Sequence, residues 1–229
     1  MEQCDLHKLA AQFLLEMKKG QAGEGPRGQL AKVPAESLHQ LYSEEGKKAF
    51  WINCYNAFFL WLRKYQGEEK PTIFRERLCP VAGQHFSLDE IEHGILRRFR
   101  AKLSGGYLPN LCMPLHIRKL AVKRADFRIH FALNCGAKSC PPIAFYEPSR
   151  IEEQLEIATL SFLEQETQFD SAANELHFSR LGLWYIADFG GRPGIRKIAQ
   201  KYLQLGKKDS KVVFNAYSWD ENLDNFAEY

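Results

Sequence analysis

Apolar residues recur at helical spacing along several stretches of the chain. Leu6, Leu9, Ala10, Phe13, Leu14 and Met17 form the first, the pattern of an amphipathic helix. From Glu44 to Tyr65 the periodicity stays helical, but apolar residues such as Phe50, Trp51, Ile52, Phe58, Phe59, Leu60, Trp61 and Leu62 lie on nearly every side. A helix hydrophobic all round predicts a central, buried element. Asn53 and Asn56 share one face of it, and buried amides need partners; neighbouring backbone is the plainest one. Phe86 to Phe99 predicts a helix with an explicit start. Ser87 as N-cap and Glu90 three residues on make a capping box, and Phe86 and Ile91 take the positions of a hydrophobic staple. Leu88, Ile91, Ile95 and Phe99 form its inner stripe. Glu92 falls on that stripe, whereas His93 is rotated to the edge of the exposed side. Ile151–Leu163 and Ile195–Leu203 predict two more amphipathic helices.

Alternation marks the strands. Ile129 to Cys135 predicts one, with Ile129, Phe131, Leu133 and Cys135 on one face and His130, Ala132 and Asn134 on the other. Glu175–Phe178 and Lys211–Tyr217 predict others, while Ile117–Val122 and Gly182–Phe189 leave the element type open. Gly20 to Pro34 holds four glycines and two prolines and predicts a loop or linker. The expected architecture is α+β: an N-terminal helix and linker over 1–34, then one compact domain over 35–229. Its first half is helix-rich, with the central buried helix packed on a mixed or antiparallel sheet.

Composition narrows the function classes. A net charge of +3 is too small to call for a nucleic-acid partner. Basic residues cluster at Arg97, Arg98, Arg100 and Lys102 and again at Arg118, Lys119, Lys123 and Arg124, but acidic residues are interleaved elsewhere, so these read as a solvated face. The longest apolar run, Ala57–Leu62, is far short of a membrane span. Glu2, Asp5 and His7 interrupt any signal-peptide pattern. Six cysteines, Cys4, Cys54, Cys79, Cys112, Cys135 and Cys140, lack regular spacing and read as reduced thiols. A cytoplasmic protein without cofactor is expected, acting on a small molecule or a peptide, with neither nucleic acid nor membrane as partner.

Candidate chemistry concentrates between Asp126 and Pro142. There an expected strand runs into a glycine-containing loop that carries two thiols. A thiol hydrolase or transferase needs a cysteine, a base within reach and a group that orients the base. Cys135, beside Gly136, is the expected nucleophile ahead of Cys140, which Pro141 pins. His130 is the nearest histidine in sequence, and His93 is the other candidate base. On a straight strand His130 and Cys135 point to opposite faces, so a bulge near Asn134 or a base from elsewhere is required. Glu92, an inward carboxylate, is expected to orient His130, and Asn53 is carried as a further polar candidate. Two other readings remain open. One is a metal site of Cys135, Cys140 and His130 with His93 or His116, although the cysteine spacing is loose for structural zinc. The other is a non-catalytic interaction module.

Several of these segments together resemble the domain-of-unknown-function 547 family. They are AFWINCYNA (Ala49–Ala57), FSLDEIEHGILR (Phe86–Arg97), RIHFALNCGAKSCPP (Arg128–Pro142), QLEIATLSFL (Gln154–Leu163), LWYIADF around Asp188, and VVFNAYSWDENL (Val212–Leu223). The last departs from the family pattern at Ser218 and Asp220-Glu221, where an Asp-Trp-Ser-Leu-Asn ending is expected. The resemblance implies a domain from about Leu38 onward, similar in a rearranged order to papain-like or transglutaminase-like thiol enzymes.

Overall fold

The computed structural model describes residues 5–228; Glu2 and Cys4 lie outside the described residues. Helix α1 (Leu6–Lys18) starts where the Asp5 carboxylate accepts from the backbone N–H groups of His7 and Lys8. Its apolar stripe is buried as its spacing predicts. The stretch 20–34 is not a linker: it folds into helix α2 (Glu24–Lys32). Gly23, at φ 65°, turns the chain into it. Pro26 sits in the first turn, where a missing N–H costs nothing. The buried Leu30 ties α2 to the main core.

Helix α3 (Glu44–Tyr65) has the predicted bounds and is buried on nearly every side. Ser43 caps it, accepting from Gly46 N–H at 2.9 Å. It packs on α1, on the segment 90–96, on the short helix α4 (Thr72–Arg75) and on a later helix, residues 151–166. Strands β1 (Cys79–Val81) and β2 (Gln84–Phe86) form a hairpin whose two turn residues, Ala82 and Gly83, both have positive φ (51° and 68°).

The hairpin leads into the expected capping box: Glu90 N–H donates to Ser87 Oγ, and Ser87 N–H to Glu90 Oε2, each at 3.0 Å. The box does not open an α-helix but a π-helical stretch, Glu90–Leu96. Arg97 N–H reaches Glu92 O at 2.8 Å, and Phe99 N–H reaches Gly94 O at 2.9 Å. Gly94 permits the close packing beneath it. A Cβ there would meet Ile117 Cγ2 at 2.6 Å, and Ile117 belongs to helix α5 (Leu115–Leu120). The wider turn brings an additional residue to the inner side. Glu92 and His93 are therefore both buried, which corrects the expectation of His93 at an exposed edge.

Residues 129–135 are not a strand either. Phe127–Phe131 is a 3-10 turn, capped by the Asp126 carboxylate on Arg128 N–H. Its alternation arises because the segment lies between two hydrophobic clusters, Ile129 facing the one around α3 and Phe131 the other. The second cluster contains α6 (Ile151–Glu166), β3 (Gln168–Asp170), β4 (Glu175–Phe178), α7 (Leu181–Trp184), α8 (Gly191–Leu203) and β5 (Lys211–Phe214). β3 runs antiparallel to β4 and β5 parallel to it, a mixed three-stranded sheet covered by α6 and α8. The architecture is α+β. Among the described residues no helix is long and apolar enough to cross a membrane.

Candidate active site

A cavity of about 410 Å³ opens between the π-helical stretch, the 133–141 loop, α7 and the C-terminal segment. Cys135, Cys140, His130, Glu92 and His93 all line it. Tyr55, Trp184, Tyr185, Tyr217 and Trp219 supply much of its wall.

The cysteine loop is shaped by two asparagines. Asn56, on α3, donates Nδ2–H to Ala132 O at 2.9 Å and accepts from Asn134 N–H at 3.0 Å, taking the backbone groups that a partner strand would otherwise use. Asn134 then closes the loop: its Oδ1 accepts from Gly136 N–H at 2.7 Å, and its Nδ2 donates to Pro141 O at 2.7 Å. Gly136 has φ 75°, and a Cβ there would meet Phe59 Cζ at 2.7 Å and Leu223 Cδ2 at 2.9 Å, so only glycine fits. The C-terminal segment straps the loop down. Ser218 N–H donates to Ser139 Oγ at 2.9 Å, and Lys138 N–H to Asp220 O at 2.7 Å. The backbone of Ser218 and Asp220 thus braces the thiol loop from outside.

Cys135 is half-buried and Cys140 buried. Cys135 N–H donates to Cys140 Sγ at 3.1 Å. One hydroxyl, that of Tyr217, touches both sulfurs, at 3.4 Å from Cys135 Sγ and 3.1 Å from Cys140 Sγ. The Cys140 S–H pulls the Cys135 thiol down to about 6 against the opposing effect of burial, helped by the Tyr217 hydroxyl, the Lys70 charge and Ala137 N–H. Burial and the neighbouring Cys135 push Cys140 the other way. The first proton therefore leaves Cys135, and Cys140 stays protonated beside it. Cys54 and Cys79 are fully buried, with thiols pushed up by desolvation.

His130 Nε2 lies 2.8 Å from Asp188 Oδ2, and its ring stacks on Tyr185 with centroids 3.9 Å apart. Burial lowers the His130 pKa further than Asp188 raises it. The neutral ring donates Nε2–H to the carboxylate and leaves Nδ1 as an acceptor. Asp188 also receives Arg97 twice, at 2.6 and 3.1 Å, and Arg100 at 2.8 Å. Burial would raise its carboxyl; the His130 and Arg97 hydrogen bonds outweigh that and hold it well below the usual carboxylate range. Arg97 is buried, not part of a solvated basic face, because this carboxylate draws it inward.

Asp188, not Glu92, is thus the carboxylate that holds His130. Glu92 Oε2 accepts from the Tyr55 hydroxyl at 3.4 Å. Its Oε1 has no hydrogen bond among the described residues and lies 3.5 Å from His93 Nδ1. Burial raises the Glu92 carboxyl, yet the neighbouring His93, Arg97 and His130 and a hydrogen bond from Tyr185 bring it below its ordinary value. His93 Nδ1 is 2.6 Å from Arg97 Nη1 and accepts from it, so this nitrogen is not free to act as a base. Asn53 spends both ends of its amide on the backbone of Tyr146, donating at 2.8 Å and accepting at 3.0 Å, outside the cavity wall. Cys135 and His130 share the cavity, but no hydrogen bond joins them among the described residues. No group of three or more His, Cys, Asp or Glu side chains among those residues is placed to hold a metal ion, and His116 packs edge-on against Phe86 instead.

Reading the sequence missed Asp188, Tyr185 and Tyr217 as site residues. Asp188 is the single acid in the aromatic run LWYIADF, a segment that also carries the family resemblance, and these are the signals that point to it. The family model described as "Protein of unknown function, DUF547" matches residues 39–163, and the chain belongs to this family. The match takes in both thiols, His130, Glu92 and His93 and ends before Asp188 and Tyr217. No curated protein matches the chain, nor does any solved structure.

Proposed function

We propose that the protein is a cysteine-dependent hydrolase or acyl transferase with Cys135 as nucleophile, His130 as base and Asp188 as the group that holds the base. One observation carries this reading: a half-buried thiol that shares the Tyr217 hydroxyl with a second cysteine faces the same cavity as a carboxylate-held histidine. Cys135 Sγ attacks an acyl carbon and forms a thioester, while the leaving group departs with a proton from cavity water. A second water, or an amine, then attacks the thioester. His130 Nδ1 accepts its proton, Sγ leaves as thiolate, and the imidazolium returns the proton to solvent. Glu92 Oε1, on the cavity wall, makes no hydrogen bond of normal geometry among the described residues, which suits a substrate that presents an N–H group.

The test combines labelling and turnover. At pH 7 a sub-stoichiometric dose of iodoacetamide is expected to modify Cys135 ahead of the exposed Cys112. An activated acyl ester is expected to leave a transient acyl mass on Cys135, which Cys135→Ala abolishes. Preferential labelling of Cys112 overturns the reading. An acyl adduct that never turns over identifies a non-catalytic binding module instead.

A further inference from the structure

We propose that Cys140 is a resolving thiol for Cys135, so that oxidation of Cys135 by a hydroperoxide is captured as an intramolecular Cys135–Cys140 disulfide. This goes beyond the acyl-transfer reading and does not depend on it.

The geometry is specific to this pair. Both sulfurs sit on one hydroxyl oxygen, that of Tyr217, and the Cys140 sulfur also receives the backbone N–H of Cys135. The loop between them is already folded back, with Cys140 N–H on Ala137 O at 2.9 Å. Closure to a sulfur–sulfur distance of about 2 Å would make the pair a disulfide. The two members also differ in access. Cys135 is half-buried on a cavity wall, where a small peroxide can reach it, and Cys140 is buried behind it. Cys54 and Cys79 are also close enough to influence each other, but both are completely buried. Cys112 is exposed, and among the described residues no hydrogen bond ties its sulfur to another thiol.

The chemistry balances with a hydroperoxide as the oxidant. The Cys135 thiolate attacks one peroxide oxygen and the O–O bond breaks. The departing alkoxide (hydroxide, for hydrogen peroxide) takes the Cys140 proton, and Cys135 becomes a sulfenic acid. The Cys140 thiolate then attacks Cys135 Sγ, the S–O bond breaks, and hydroxide leaves to be protonated by solvent. The two sulfurs lose two electrons and the peroxide gains two. The product blocks the nucleophile while sparing it irreversible oxidation to sulfinic acid, and a dithiol reductant restores it.

Trypsin cuts after Lys138, between the two cysteines, and this gives a direct readout. The full chain is treated with hydrogen peroxide at low molar excess, blocked with an alkylating agent and digested without reductant. The expected product is a cross-link between peptides 129–138 and 139–150, two hydrogens lighter than their sum and lost on adding dithiothreitol. In Cys140→Ser the same dose is expected to leave Cys135 as a sulfenic acid that dimedone traps. Wild-type protein that accumulates sulfinic acid at Cys135 while Cys140 stays alkylatable overturns the proposal. So does oxidation of Cys112 ahead of the pair. Both outcomes are read on the wild-type chain, so neither requires the variant to fold.

Discussion

Two networks of charged side chains hang from the same short turn, Phe127–Phe131, and they differ in what they leave unspent. On the outer side Asp126 and Arg128 join Lys48 of α3 to Glu152 and Glu156 of α6. Lys48 Nζ lies 2.8 Å from both Asp126 and Glu152, and Arg128 Nη1 lies 3.2 Å from Glu156. Each charge there has an opposite partner, and Glu152 and Glu156 are about half exposed, at 53% and 44%. On the inner side Arg97, His130 and Asp188 are all at 1%. Of the three, His130 lines the cavity, where Glu92 Oε1 makes no hydrogen bond of normal geometry among the described residues. A network that is closed and partly wet ties elements together. One that is buried, dry on one side and incomplete on the other can also hold a reacting group.

The largest expected effect separates the two by stability. Arg97→Met removes the bidentate partner of Asp188 and leaves a buried carboxylate with less compensation, a loss expected to cost about 3–5 kcal/mol. Glu156→Gln, on the outer network, is expected to cost less than about 1 kcal/mol, because Glu156 is itself half exposed and Arg128 keeps Asp126 and Glu152 as partners. Urea unfolding of both variants checks the contrast, and similar costs would erase it.

The next contrast is in pH. The folded state holds His130 below its ordinary value, so below pH of about 6.5 the unfolded chain takes up a proton that the folded chain resists. Stability on the inner side should therefore begin to fall as pH drops through 6.5. Asp126 is held at about 2 by Arg128 and Lys48, which overcome the opposing effect of burial. Its contribution, about 2.5 kcal/mol, is present above pH of about 4 and is lost as pH falls toward 2. His130→Gln is expected to reduce the slope between pH 6.5 and 5, leaving the share of His7, which burial also holds low, and to keep the acid limb. Asp126→Asn should shrink the acid limb alone. A His130→Gln stability profile with the wild-type slope would show that the histidine does not titrate as a buried neutral group.

These differences bear on how much could be read from the chain. The bounds of α3 were legible because an apolar helical run leaves no alternative, and the Ser87–Glu90 box was legible because capping is local. The π-helical turn was not, since it depends on Gly94 packing against Ile117, a contact made by a distant segment. The 129–135 run was misread for a similar reason. Burial between two clusters produces the same alternation as a half-buried strand, and Asn56, far upstream, takes the backbone groups that would have paired. Residue type and proximity brought the two thiols, His130 and Glu92 into view. They could not supply Asp188 or Tyr217, which only folding brings to the histidine and the sulfurs.

The smallest effect tests whether the open side tunes chemistry with energies too small to matter for folding. Tyr217→Phe keeps the ring that packs against Trp184 and Trp219 and removes only the hydroxyl shared by the two sulfurs. A hydrogen bond to a charged acceptor contributes roughly 1.5–3 kcal/mol, but the Cys140 S–H, the larger influence on Cys135, remains in place. Water entering the vacated space would recover part of the loss. The titration midpoint of Cys135 is then expected to rise by about one pH unit, equivalent to about 1.4 kcal/mol. The expected signature is a several-fold slower alkylation of Cys135 near pH 6, converging on the wild-type rate above pH of about 8.5, where Cys135 is ionised in both proteins. Cys112 in the same sample serves as an unaffected reference, and thermal unfolding should shift little. An unchanged Cys135 profile would mean that Cys140 alone sets the thiolate and that Tyr217 serves only as packing. Equal slowing at every pH would point to altered access to the cavity rather than to the charge on the sulfur.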